Sequence, residues 1–406
     1  MSVPGTHAVE QTFREEHARA VSVLTRVLGD LTLAEDAVAE AFTVACRRWP
    51  RDGVPPSPAG WIITTARRKA VDQMRREANR ERKHLEAALL QEPEPAASPG
   101  VIGDDLLRLI FTCCHPALSR PAQVALTLRL LGGMRTAEIA RAFLVSESAM
   151  ARRLVRAKAK IRDAGIPYEV PQAADLEQRW VVVLDVLYLI YNEGYVATEG
   201  PGLGRDELCA QALRLTRMVV DLTPGGHEPV GLLALLLLLQ SRRTARIGPE
   251  GEAVLLADQD RARWDQQMVL EALELLRAIP QHAPAGPYRL QAAINAVHAG
   301  ATSIADTDWA QLVLLYDALL QVRPSHVVRL NRAVAVAEAG DPAAAWRALQ
   351  ELDLDGYSPY YAVCGYVLAM LGRPAKARDY YDAAIVRTRN GAERAALRRR
   401  RDALGR

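Results

Sequence analysis

The chain has 406 residues, half of them apolar, with 51 basic and 48 acidic side chains and a net charge of +3. That length exceeds one ordinary core and implies roughly two to four domains. The near-balanced charge excludes a disordered polyelectrolyte, and the longest strongly apolar run, Leu232–Leu239, is far short of the roughly 20 residues that span a membrane.

Ala, Leu and Arg dominate, and no alternating run is bounded by a hairpin turn, so the expected fold class is all-α. Basic residues outnumber acidic ones in 1–170, whereas the remainder is slightly acidic. That split suits a nucleic-acid-binding front joined to a protein-binding back. The five cysteines, Cys46, Cys113, Cys114, Cys209 and Cys364, form neither a zinc spacing nor a disulfide framework. With no signal-peptide layout at the N-terminus, they point to a reducing cytoplasm and to no metal or cofactor. No HExxH, Gly-rich phosphate loop or GxSxG is present, so an enzyme is not expected.

Apolar positions Phe13, Val21, Leu24 and Leu28 predict a first helix over 8–30, and a second runs from Leu33 to Trp49. Pro50–Pro58 reads as a loop, and a third helix follows from Ala59 to Arg82 or beyond. Between Arg67 and Lys83 lie eight basic and three acidic residues, a face able to track phosphates. The acidic, Pro-rich stretch 92–100 reads as a linker, which places domains at 8–90 and 104–165 about a linker at 91–103. Phe111–Pro116, with its adjacent Cys113 and Cys114, reads as a packed helix start.

Residues 136–165 predict a helix-turn-helix. Thr136 is expected to cap a short helix ending near Phe143, and Ser146 to cap a second, with Glu147 in its first turn. Met150, Leu154, Ala157 and Ile161 make one buried stripe. Eight basic and two acidic residues lie between Arg135 and Arg162, which is the layout of a helix that reads DNA.

This segment resembles region 4 of extracytoplasmic-function sigma factors. The resemblance rests on Val145-Ser146-Glu147 and on Leu154-x-Arg156-Ala157-Lys158-x-Lys160-Ile161. Leu144 stands where the family has Gly, and Ser148-Ala149 where it has Gly-Thr. Residues 33–49, through Ala34, Glu35, Asp36, Val38, Glu40 and Phe42, resemble region 2.2, with Ala39 in place of Gln. Residues 58–77, through Trp61, Ile62, Ile63 and Ala66-Arg67-Arg68-x-Ala70-x-Asp72-x-x-Arg75-Arg76, resemble regions 2.3 and 2.4.

The resemblance, which covers 8–165, implies a dissociable subunit of core RNA polymerase. It implies docking on the β′ coiled coil through Glu35, Asp36, Glu40 and Phe42, and on the β subunit through region 4. Arg67, Arg68, Lys69, Arg75 and Arg76 would serve the −10 element, with the loop Arg51–Ser57 before them. Ser146, Ser148, Ala149, Arg152, Arg153, Arg156 and Lys158 would serve the −35 element of promoter DNA.

Residues 175–406 read as helix after helix, with breaks at Gly200–Gly204, Pro224–Pro229, Gly248–Gly251, Pro280–Pro287, Pro324, Gly340–Pro342, Gly356–Pro359 and Gly372–Pro374. Ala339-Gly340-Asp341-Pro342 recurs as Leu371-Gly372-Arg373-Pro374 at a spacing of 32. Apolar helices with Leu330, Val334 and Ala337, or Val363, Val367 and Met370, precede these turns, and Ala345 matches Ala377. That is the tetratricopeptide pattern, expected at about 325–390. The region resembles the C-terminal extension of a long subgroup of these sigma factors. Its polar residues Asn192, Glu193, Asp258, Asp260, Arg261, Gln291, Asn295, His298 and Asn331 are expected to form an internal hydrogen-bond network, with a groove for a peptide, protein or small ligand as the other reading. A promoter-binding regulator that never joins polymerase, and a scaffold acting through its repeats, are the competing functions.

Overall fold

The structure is a computed structural model that describes residues 4–78, 99–143, 145–197, 203–248 and 252–404. It contains two compact units, 1–189 and 190–406. Among the described residues there is no strand, only an isolated bridge between Ile247 and Ala253.

The first unit opens with α1 (Pro4–Leu28), α2 (Leu31–Asp52) and α3 (Pro58–Ala78), which pack on one another. Gly29, in the left-handed region at φ 69°, ends α1 by donating to the Thr25 carbonyl at 2.9 Å. Asp30 then caps α2, accepting from the N–H groups of Thr32 and Leu33 at 2.7 and 2.9 Å. Apolar residues one turn apart close the core: Ala34 and Val38 from α2 are buried, as are Ile62, Ala66 and Ala70 from α3. The expected loop at Pro50–Pro58 is shorter than its prolines imply. Helix α2 continues through Pro50 to Asp52 and ends where Gly53 (φ 83°) donates to the Trp49 carbonyl. A proline in the last turn forfeits one backbone bond, and Pro58 opens α3 at its first position, where no donor is needed.

Next come α4 (Pro99–Cys113), α5 (Arg120–Leu126) with a π-helical turn at Thr127–Leu131, α6 (Thr136–Ala142) and α7 (Glu147–Asp163). Helix α4 begins inside the stretch expected as linker, of which 91–98 lies outside the described residues. Cys113 and Cys114 sit at the end of that helix, not at its start. Both thiols are buried, and burial pushes Cys114 up to about 11. Helix α8 (Ala173–Tyr195) begins in the first unit. There the Trp180 ring meets Phe111 edge-on at 4.7 Å, and Arg179 donates to the Phe111 carbonyl at 2.7 Å.

The second unit holds α9 (Asp206–Leu222), α10 (His227–Ser241), α11 (Gln266–Ala278), α12 (Pro287–Gly300), α13 (Trp309–Val322), α14 (His326–Glu338), α15 (Pro342–Gln350), α16 (Ser358–Met370), α17 (Pro374–Arg387) and α18 (Gly391–Ala403). The leucine run forms α10, buried on all sides because α9, α11 and α12 surround it. A Cβ at Gly231 would lie 2.7 Å from the Arg289 nitrogen, so glycine is what lets α10 approach α12. From α12 onward each helix packs on the next. The two Gly-Pro turns behave alike: Gly340 and Gly372 have φ of 104° and 67°, and Pro342 and Pro374 open the following helices. Ala345 and Ala377 are both fully buried. Met370, expected on the apolar face, is 40% exposed, because it lies in the last turn of α16 beside Gly372.

Candidate promoter and polymerase interface

Ser146 is the N-cap of α7, its hydroxyl accepting from the Ala149 N–H at 3.2 Å. Thr136, expected as the cap of α6, is instead its first residue. Arg135 holds the cap position, and the Glu138 carboxylate reaches back to its N–H at 2.8 Å. The Leu144 position lies outside the described residues.

Met150, Leu154, Ala157 and Ile161 are buried, as their spacing requires. On the other side Ser148, Arg152 and Arg156, one turn apart, make an exposed stripe that begins at the positive end of the helix dipole. Ser146 is exposed, and Ala149 and Arg153 are half-buried.

Lys158 departs from that face. It extends along the buried side of α7, and its ammonium bonds the Glu35 carboxylate of α2 at 2.9 Å. Arg129, from the π-helical turn, holds the other Glu35 oxygen at 2.5 Å. Glu35 is only 4% exposed. Burial alone would raise its carboxyl, but Lys158 and Arg129 beside it hold it below the ordinary glutamate value. Phe42 is also internal, with its ring edge-on to Phe13 at 4.9 Å. Asp36 and Glu40 are exposed.

On α3, Arg68 and Arg75 are exposed and Arg67 is half-buried. Lys69 lies 3.5 Å from Glu40, across the α2–α3 contact. Arg76 is in α3, with its side chain outside the described residues.

Three ties join the first helices to those after residue 99. One is the Glu35 cluster. The second is Asp105, fully buried, which accepts from Arg26 at 3.0 Å and Arg108 at 2.9 Å. In the third, the Tyr168 hydroxyl donates to the carbonyls of Ser22 and Asp105. Gly133 adds a close approach, since a Cβ there would lie 3.0 Å from the Phe13 ring and its φ is +68°. Apart from the (i,i+3) Asp105–Arg108 pair, these partners are far apart in the chain, and no local pattern marks them.

In the second unit the expected polar network forms only in part, since Asp260 is exposed and the Nδ1 of the buried His298 has no hydrogen-bond partner. Glu193 pairs with Arg205 at 2.6 Å. Asp260 caps a 3-10 turn, and Arg261 donates to the carbonyls of His298 and Ala301, both at 2.6 Å. Asn295 accepts from Arg242 at 3.3 Å and donates to the Gln291 carbonyl. Asn331 is exposed, and Asp258 faces Arg400 at 3.9 Å on the surface. No described helix is long and apolar enough to cross a membrane.

Known families match three stretches. Residues 12–80 match Sigma-70 region 2, residues 108–161 match Sigma-70 region 4, and residues 179–279 match a family of unknown function, DUF6596. An uncharacterized protein of Rhizobium meliloti (strain 1021) is 43% identical over 394 residues, 95% of this chain and 93% of that one. The ECF RNA polymerase sigma factor SigK of Mycobacterium ulcerans (strain Agy99) is 27% identical over 150 residues, 36% of this chain and 75% of that one. Region 2 and region 4 stand in order ahead of a helical extension, so the chain belongs to the sigma-70 family as an ECF-type sigma factor with a long C-terminal domain.

Proposed function

We propose that the protein joins core RNA polymerase as a dissociable cytoplasmic subunit and directs it to promoters through −10 contacts of α3 and −35 contacts of α7. The observation that carries this is the exposed Ser148–Arg152–Arg156 stripe at the capped start of α7, in a chain that also holds region 2. Residues at the start of such a helix meet base edges, and later cations meet phosphates. Arg68 and Arg75, two turns apart on α3, supply the cationic wall that single-strand capture needs. Asp36 and Glu40 are exposed carboxylates one turn apart on α2 and dock polymerase directly. Glu35 and Phe42 hold that helix in place from inside.

Lys158 reaches a phosphate by exchanging its bond to Glu35, so engagement of DNA by α7 loosens its hold on α2. The second unit, with tetratricopeptide-like hairpins in α14–α17, modulates the activity in cis. In vitro transcription with core polymerase tests the whole reading. The full chain should form a complex on gel filtration and initiate at a specific promoter, whereas Asp36→Arg should lose the complex and keep its fold. No complex and no initiation with the unsubstituted chain would sink it.

A further inference from the structure

The second unit holds a half-open cavity of about 320 Å³ that the promoter-binding role does not use. It is bounded by the segment after α8, the end of α10, the stretch 253–259, and the facing sides of α16 and α18. Two guanidiniums line it. Arg242 is 8% exposed; its Nη2 donates to the Tyr195 hydroxyl at 3.0 Å and to Asn295, while its Nε is buried with no hydrogen-bond partner. Arg246 lies over the Tyr195 ring at 3.3 Å and makes one bond, to the Tyr195 carbonyl at 2.9 Å. Among the described residues neither has a carboxylate within ion-pair distance, unlike Arg205, Arg217 and Arg332 of the same unit.

Two adjacent cations removed from water without a counter-charge are costly, and ring contacts recover only part of that cost. Burial pulls the Arg246 guanidinium below its ordinary value, and the charge of Arg242 adds to the effect. The carboxylate on the cavity wall, Glu393, forms no ion pair with either arginine and takes the Thr388 hydroxyl at 3.0 Å. Gln259 also lines the cavity, with its Oε1 buried and unpartnered. Much of the rest of the wall is apolar, including Leu203, Leu256 and Ala396.

We propose that this cavity is a binding site for a small organic anion, its acidic head paired with Arg242 and Arg246 and its apolar body against Leu203, Leu256 and Ala396. The head is a carboxylate or a phosphate monoester, both of which match a guanidinium fork. Gln259 supplies an acceptor for a hydroxyl or amide on the ligand.

Calorimetry on the full chain tests this, with octanoate and phenyl phosphate as the two head groups and octanol and inorganic phosphate as single-feature controls. At least one organic anion should bind saturably with one site per chain, at least about tenfold tighter than either control. Arg246→Met should weaken it about tenfold or more, and Ala362→Leu, which fills the cavity and leaves both charges, should abolish it. Arg332→Ala, on a paired surface arginine, should leave it unchanged. The cavity-filling variant decides the matter even if Arg246→Met does not fold. The proposal is overturned if neither organic anion binds saturably, if octanol binds as tightly, or if Ala362→Leu binds like the unsubstituted chain. The site stands apart from modulation in cis: calorimetry reads neither promoter nor polymerase, so failure of that modulation would leave the site intact.

Discussion

Glu35 shows how a buried carboxylate stays charged. Two cations from later in the chain flank it, one on each oxygen, and neither is itself well exposed. Glu35→Gln leaves Arg129 and Lys158 facing an amide and should lower the stability of the first unit by about 2 kcal/mol, read as a shift in thermal midpoint. The pH dependence follows from the sign of the shift. With the folded carboxyl below its unfolded value, the contribution is complete above the ordinary glutamate range and is lost as the pH falls through the folded value. Glu35→Gln should therefore flatten the acid limb of the stability curve. The exposed cations behave differently. Arg152→Ala should leave the melting temperature unchanged and weaken promoter binding, with the logarithmic salt slope reduced by about one. Lys158→Ala should both destabilise the unit and weaken DNA binding, since its ammonium serves Glu35 before it serves a phosphate. The buried stripe of α7 was legible because helical spacing repeats locally. The inward turn of Lys158 was not, because its partner lies 123 positions earlier in the chain.

At the scale of elements, glycines and caps decide which helices meet. The Gly340–Pro342 and Gly372–Pro374 turns were readable, since left-handed glycine and first-turn proline leave a sequence mark, whereas the turn at Gly29–Asp30 falls inside the stretch 8–30 expected as one helix. The π-helical turn at 127–131 leaves none, nor does the burial of Glu35 and Phe42 on a helix read as a docking surface. Their helix is amphipathic either way, and only the later helices settle which face is covered. In the second unit the α10–α12 contact rests on Gly231. Gly231→Val should cost about 2–3 kcal/mol, because the added carbons meet backbone rather than a side chain that can swing aside. Helix α12 also carries His298, buried against Arg242, Arg261 and the Trp309 ring. Burial first, then the two guanidiniums, lowers it to about 4 from 6.5. The unfolded chain then binds a proton that the folded one refuses, so stability present above pH 6.5 should fall by about 3 kcal/mol as the pH drops to about 4. His298→Gln should remove that slope, as measured by urea unfolding across the same range.

For the whole molecule, the place to separate the two functions is not where composition suggests. The Pro-bounded stretch at 165–175 reads as a junction, yet α8 follows it and supplies Trp180 to Phe111, Arg179 to the Phe111 carbonyl, and Asp185 to Arg120. A chain ending at residue 170 strips these contacts from region 4 and should be less stable than one ending after Tyr195 by about 3 kcal/mol, the order of losing one large aromatic contact. Any loss of transcription by the shorter chain thus confuses damage to region 4 with loss of the second unit. The chain ending after Tyr195 keeps α8 whole. It should melt cooperatively and bind core polymerase as the full chain does, because the exposed Asp36 and Glu40 are unchanged. If the second unit acts in cis, promoter output per bound polymerase should then differ from that of the full chain in either direction. Equal output at equal occupancy would show that the long C-terminal domain serves something other than control of initiation.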